Sequence, residues 1–134
     1  MKRSLCCFLF LYNICFAQVT LNQGLQAYYP FNGNTNDISG NNNNPVYNNA
    51  SLTADRAGNA NSAYHFNVID NYIRIPNNSS LNFSNKISLA VWIKPTGFYY
   101  DICHANSILS KGTASYMPGN YALRFDDALF TDGQ

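Results

Sequence analysis

Apolar residues of this chain alternate with polar ones over short segments, and no segment of eleven or more residues repeats them at the three- and four-residue spacing of an α-helix. Turn-forming residues separate these segments. Residues 32–49 are rich in Asn and Gly, which tolerate left-handed backbone angles, and residues 41–44 are all Asn. The sequence therefore predicts an all-β chain of short antiparallel strands, arranged as a sandwich or barrel.

The predicted strands combine this alternation with β-branched and aromatic residues. They are residues 25–31, 46–52, 63–67, 72–76, 86–93, 107–111, 120–125 and 128–130. Residues 63–67 and 72–76 are predicted to form one hairpin, with Ile73 and Ile75 facing inward and Tyr72 and Arg74 outward. Residues 86–93 are apolar on both faces, which predicts a strand covered on both sides and places Trp92 in the core.

The first residues have the features of a secretory signal peptide. Lys2 and Arg3 precede an apolar run over residues 5–16, and Ala17 supplies the small residue at the cleavage site. The run is shorter than the roughly 20 residues that a membrane-spanning helix needs. We therefore expect cleavage after Ala17, with a membrane anchor or a lipoprotein signal using Cys15 as the alternatives.

Net charge and cysteine content indicate which kinds of binding partner to expect. Cleavage after Ala17 leaves six Lys and Arg against seven Asp, a net charge of −1, and there is no Glu. This balance gives no reason to expect nucleic-acid binding, and a weakly charged polar surface suits neutral partners such as sugars. Cys103 is the single cysteine left, and in an exported protein it indicates an intermolecular bond or a partner cysteine outside this sequence.

The chain lacks the arrangement of residues that glycoside hydrolysis or thiol catalysis needs. Glycoside hydrolysis requires two convergent carboxylates, but Asp126 and Asp127 are adjacent and would point to opposite sides of a strand. Cys103 and His104 are also neighbours whose side chains diverge, so a disulfide explains the thiol better than a nucleophile does. We predict a non-catalytic chain.

Four blocks in order resemble the strands of bacterial laminin-G-like and pentraxin-like domains, which have the concanavalin A-like lectin/glucanase jelly roll. These blocks are residues 24–41, 59–66, 70–76 and 87–95. The resemblance implies an antiparallel β-sandwich over residues 18–134, incomplete at its C-terminal end, with a disulfide partner of Cys103 beyond residue 134. The family often has Phe-Asp-Gly where this chain has Phe66-Asn67-Val68, so a cation site that needs this Asp is in doubt.

Two sites are predicted. The resemblance implies calcium at the rim of the sandwich, where Asn32, Asn36 and Asp37 supply oxygen ligands; ordinary turn structure is the alternative for these residues. The ligand-binding prediction is Phe98, Tyr99, Tyr100 and Asp101, since aromatic faces beside a carboxylate suit a pyranose ring. The same aromatic side chains are equally suited to covering the core.

The expected function is a secreted or cell-surface binding or adhesion module that recognises a glycan or an extracellular protein. Two alternatives remain at this point. The domain is a structural spacer of a larger surface protein, or an accessory module of a secreted enzyme such as a glycoside hydrolase or protease.

Overall fold

The computed structural model describes residues 22–67, 69–98, 106–112 and 119–125. Its strands are β1 (Tyr47–Asn48), β2 (Ser51–Thr53), β3 (Ala63–His65), β4 (Ile73–Arg74), β5 (Ser107–Lys111) and β6 (Tyr121–Arg124), with one 3-10 turn at Ser79–Leu81. These residues contain no α-helix, so the all-β prediction is confirmed for this part of the chain. No helix within it has the length and apolar character to cross a membrane. The predicted signal peptide lies outside it.

Residues 47–53 contain two strands, β1 and β2, and each of them pairs with a different later strand. β1 pairs with β4 through Tyr47 opposite Arg74, and β2 pairs with β3 through Leu52 opposite Tyr64, both antiparallel. The two pairs differ in register because the loop between β3 and β4 lies outside the strand pairing.

The predicted hairpin between residues 63–67 and 72–76 is wrong, although both segments contain strands. The side-chain oxygen of Asn67 accepts hydrogen bonds from the backbone N–H groups of Ile69, Asp70 and Asn71, at 3.0 to 3.1 Å. This asparagine-closed loop satisfies the backbone groups that a two-stranded turn would use. The two segments therefore pair with residues 47–53 instead of with each other.

The strand prediction for residues 107–111 and 120–125 is confirmed. β5 and β6 pair antiparallel, with an irregular register between Ser107 and Leu109. Tyr121 and Leu123 are half-buried whereas Ala122 and Arg124 are exposed, as the alternation predicts. The predicted segment 128–130 lies outside the described residues.

Two predicted strands are absent. In residues 25–31 the backbone N–H of Tyr28 donates to the Asp37 carboxylate instead of to a neighbouring strand. Residues 86–93 join no ladder, because no described residue forms a hydrogen bond with their backbone. Trp92 is 80% exposed, so its predicted place in the core is wrong here.

No apolar side chain is fully buried within the described segments. Asn43, at 1% exposure, is the only buried residue among them, and Val91, at the centre of the predicted interior, is 46% exposed. The chain is held in this region by polar contacts and strand pairing. Its apolar side chains line an open cleft.

Candidate functional site

The carboxylate of Asp37 organises the loop formed by residues 32–44. One oxygen accepts the backbone N–H groups of Tyr28 and Ser39, each at 2.9 Å. The other accepts the backbone N–H of Asn43 and the Ser39 hydroxyl, also at 2.9 Å. Asp37 thereby joins residues 25–31 to the asparagine-rich turn.

Burial and hydrogen bonding have opposite effects on the pKa of Asp37. Partial burial acts to raise the pKa of this carboxyl, but the donors from Tyr28, Ser39 and Asn43 favour the charged form and hold the pKa below its usual value. A calcium ion would need the lone pairs at which these donors point. Asp37 as folded does not fit a cation ligand.

The other two predicted calcium ligands take part in local turn contacts within the described residues. The Asn32 carbonyl accepts the Asn34 side-chain amide, and the Asn36 N–H donates to the Asn34 side-chain oxygen. No cluster of three or more His, Cys, Asp or Glu occurs within the described segments. Calcium binding stays a prediction.

Asn43 connects this loop to the 3-10 turn. Its side-chain amide donates to the Gln26 carbonyl at 2.8 Å and to the Ser80 hydroxyl at 3.0 Å. The backbone carbonyl of Asn43 accepts a hydrogen bond from the Tyr29 hydroxyl at 2.6 Å. Burial, together with the negative charge of Asp37, raises the pKa of Tyr29 to about 12, so this phenol stays a hydrogen-bond donor at physiological pH.

The predicted ligand loop is described only at its first residue. Phe98 is 41% exposed and packs edge-to-face against Phe125, with ring centroids 5.0 Å apart. Tyr99, Tyr100 and Asp101 lie outside the described residues, as does Cys103. Phe98 therefore contributes at least partly to packing.

An open cleft of about 960 Å³ lies between the N-terminal segment and residues 88–92. Leu25, Ala27, Leu89 and Val91 line the cleft, together with Trp92. The guanidinium of Arg56 lies 3.9 Å from the centre of the Trp92 ring, a cation–π contact. The cleft is lined by no charged side chain and mostly by apolar ones, with Asn22, Tyr28 and Ser88 as its polar residues.

A second surface combines two stacked aromatic rings with a cation. Tyr47 and Tyr72 have ring centroids 4.7 Å apart and an interplanar angle of 27°, and they are 39% and 47% exposed. Arg74, directly opposite Tyr47, places its guanidinium 5.8 Å from the centre of that ring. We call Tyr47, Tyr72 and Arg74 the tyrosine platform. Its three side chains share one face because residues 72 and 74 are two apart and 47 lies opposite 74.

Asparagines fix the backbone beneath the tyrosine platform. The Asn49 side chain accepts the Tyr72 N–H at 2.9 Å and donates to the Asp70 carbonyl at 3.2 Å. The Asn71 side chain donates to the Asn49 carbonyl at 3.0 Å and accepts the Asn67 N–H at 2.9 Å. The rings are thus presented by a cross-linked backbone and not by a free loop.

No protein-family model matches this chain, and no curated protein or solved structure matches it either.

Sequence reasoning found part of the tyrosine platform. The alternation Tyr72-Ile73-Arg74 correctly indicates that Tyr72 and Arg74 share a face, and Ile73 is less exposed than either. It missed Tyr47, because the predicted hairpin gave residues 72–76 the wrong partner. The signal available was Tyr47 itself, an aromatic residue at the start of a predicted strand that follows an asparagine-rich turn.

Proposed function

We propose that this chain is an exported, non-catalytic binding module that recognises carbohydrate through the tyrosine platform. The observation that carries this proposal is the exposed Tyr47–Tyr72 stack with a guanidinium beside it, on a backbone fixed by Asn49 and Asn71. A preformed surface keeps the entropic cost of binding low, because few side chains have to be ordered.

The chemistry of the platform suits a pyranose ring. A sugar presents an apolar face of C–H groups, and aromatic rings with polar edges bind such faces while their hydroxyls take part in hydrogen bonds. Tyr47 and Tyr72 offer two phenol groups at the edge of the stack. Both rings are partly exposed, which suits recognition at a surface.

We propose an antiparallel jelly-roll sandwich of the laminin-G-like type as the scaffold. Supporting observations are the antiparallel strand pairs and the open cleft, which Leu25 and Ala27 line together with Leu89 and Val91. The basic start, apolar run and Ala17 of residues 1–17 support export to the cell surface or medium.

Two of the three carboxylates in the described part of the chain have both oxygens engaged as hydrogen-bond acceptors. Those of Asp37 accept from Tyr28, Ser39 and Asn43, and those of Asp55 accept from its own turn. These bonds hold the pKa of each carboxyl below its usual value, the reverse of the raised pKa that a general acid needs at neutral pH. These two groups act as turn-forming residues.

Affinity electrophoresis in gels that contain soluble polysaccharides tests the proposal. We expect retardation of the purified protein by at least one polymer, and loss of about tenfold or more in affinity for Tyr47→Ala and for Tyr72→Ala, the ratio that about 1.4 kcal/mol produces. Tyr28→Ala is the matched control, since Tyr28 is a half-exposed tyrosine outside the platform.

The predicted loop at residues 98–101 provides a competing site. If Tyr99→Ala and Tyr100→Ala abolish retardation while Tyr47→Ala and Tyr72→Ala leave it unchanged, the ligand binds at that loop and the platform proposal is wrong. If no polymer retards the protein, carbohydrate recognition is wrong.

Protein recognition is a second candidate, favoured by the apolar cleft. Leu89 and Val91 are exposed there on a segment whose backbone has no hydrogen-bond partner among the described residues. Contiguous exposed apolar surface of this kind is characteristic of protein interaction sites.

A further inference from the structure

Arg74 is the feature of the tyrosine platform that neutral sugars leave unexplained. Its guanidinium lies over the Tyr47 ring, and it forms no ion pair with any residue in the described part of the chain. Each of the other two described arginines has a different setting. Arg56 stacks closely on Trp92, and Arg124 belongs to β6 in a separate strand pair.

The acidic residue nearest to Arg74 in sequence is engaged elsewhere. The Asp70 carboxylate accepts the Asn67 side-chain amide at 2.9 Å within the loop that precedes β4. The Asp70 carbonyl accepts the Asn49 side chain, which fixes this loop against the backbone of the platform. The donors of Arg74 are therefore not taken up by an acidic side chain within the described ranges.

A guanidinium next to an aromatic ring presents two kinds of recognition to one sugar. Its planar fork of N–H groups matches a carboxylate in a bidentate manner, and the ring beside it accepts the C–H face of the pyranose. A hexuronic acid carries both groups on one residue, since its carboxylate projects from the edge of the ring whose face is apolar.

We infer that the tyrosine platform binds uronic-acid residues, with the exposed side of the Tyr47–Tyr72 stack against the sugar and Arg74 on the carboxylate. This inference rests on the proposed carbohydrate-binding function and names its ligand class. The fork of Arg74 can bind both oxygens of a carboxylate at once, and a uronate carries this group on the same residue as its apolar face.

The test compares two polymers with the same backbone, polygalacturonate and its highly methyl-esterified form, in which most of the carboxylates are neutral. We expect the purified protein to bind polygalacturonate about tenfold more tightly than the ester. Arg74→Gln removes this preference, so that the variant binds polygalacturonate and its ester about equally. Arg74→Lys restores only part of it, because an ammonium is a point charge without the fork.

Arg124→Gln is the matched control, since it removes an equal charge from an exposed strand position in another pair. The uronate inference is overturned if this variant lowers binding as much as Arg74→Gln does, which indicates general charge attraction. It is equally overturned if dextran sulfate binds as tightly as polygalacturonate.

The two proposals fail in different ways. Equal binding to polygalacturonate and to its ester, with sensitivity to Tyr47→Ala retained, leaves carbohydrate recognition in place and overturns the uronate inference. Absence of binding to either polymer, and to neutral polysaccharides, overturns both.

Discussion

Replacing Asp37 with Asn tests the polar contacts that hold the N-terminal half together. Asp37 accepts four hydrogen bonds, and the best orientation of an asparagine keeps its oxygen toward Tyr28 and Ser39. The Ser39 hydroxyl can then reverse and accept from the new amide. The backbone N–H of Asn43, however, faces an NH₂ group and loses its acceptor.

The free-energy cost of Asp37→Asn follows from these lost and weakened hydrogen bonds. Leaving one partly buried N–H without an acceptor costs about 1–3 kcal/mol, and the two backbone bonds that remain become neutral and lose about half of their strength. Because Asp37 is partly solvent-exposed, we take about 1 kcal/mol for the orphaned N–H and about 1–2 kcal/mol for the two weakened bonds, which gives about 2–3 kcal/mol in total. Opening of the loop then becomes about 30- to 150-fold more frequent, at tenfold for each 1.4 kcal/mol.

Amide hydrogen exchange at Asn43, Ser39 and Tyr28 measures this opening directly. We expect exchange at these three amides to accelerate by the factor above in Asp37→Asn. Asp55→Asn is the matched control: Asp55 also accepts hydrogen bonds from its own turn, but it is solvent-accessible, so water replaces what is lost. Unchanged exchange at Asn43 in Asp37→Asn would refute the assignment of Asp37 as the organising group.

Two further predictions concern stability. The pKa of Asp37 is lowered in the folded chain, so its contribution to stability is fully present above the unfolded value of about 3.9 and is lost as the pH falls through the folded pKa. Urea titrations should show the free energy of unfolding declining below about pH 4, with a smaller decline in Asp37→Asn. An equal decline in both proteins would contradict this role. Gly112 has a φ of +86°, and a Cβ there would overlap the Asn120 side chain, so Gly112→Ala should lower stability by about 1 kcal/mol or more in the same titration, whereas Gly97→Ala, where no atom lies within 4 Å of the added Cβ, should have little effect. Equal effects of the two glycine substitutions would contradict the turn geometry.

Local chemistry explains which parts of the fold could be predicted from the sequence. Strands β3, β4, β5 and β6 lie within predicted segments, because alternation of apolar and polar residues is a local property. The turn alternative for Asp37 also agrees with the hydrogen bonds, since Asp and Asn bond their own backbone over two residues. These features need no knowledge of distant partners.

Pairing and burial could not be predicted in the same way. Whether residues 86–93 form a strand depends on a neighbour that pairs with them, and apolar character alone does not supply one. The tyrosine platform depends on the register that sets Tyr47 opposite Arg74, and this register follows from the loop closed by Asn67. A change of one residue in register would place Tyr47 on the other face.

The most direct test of uronate recognition at the tyrosine platform is an NMR titration with oligogalacturonate, following the ring signals of Tyr47 and Tyr72 and the guanidinium signal of Arg74. We predict saturable shifts at these three side chains and none at Tyr64, whose ring packs edge-to-face on Phe31. Shifts confined to Trp92 and Phe98, or no shifts at any aromatic residue, would contradict the account.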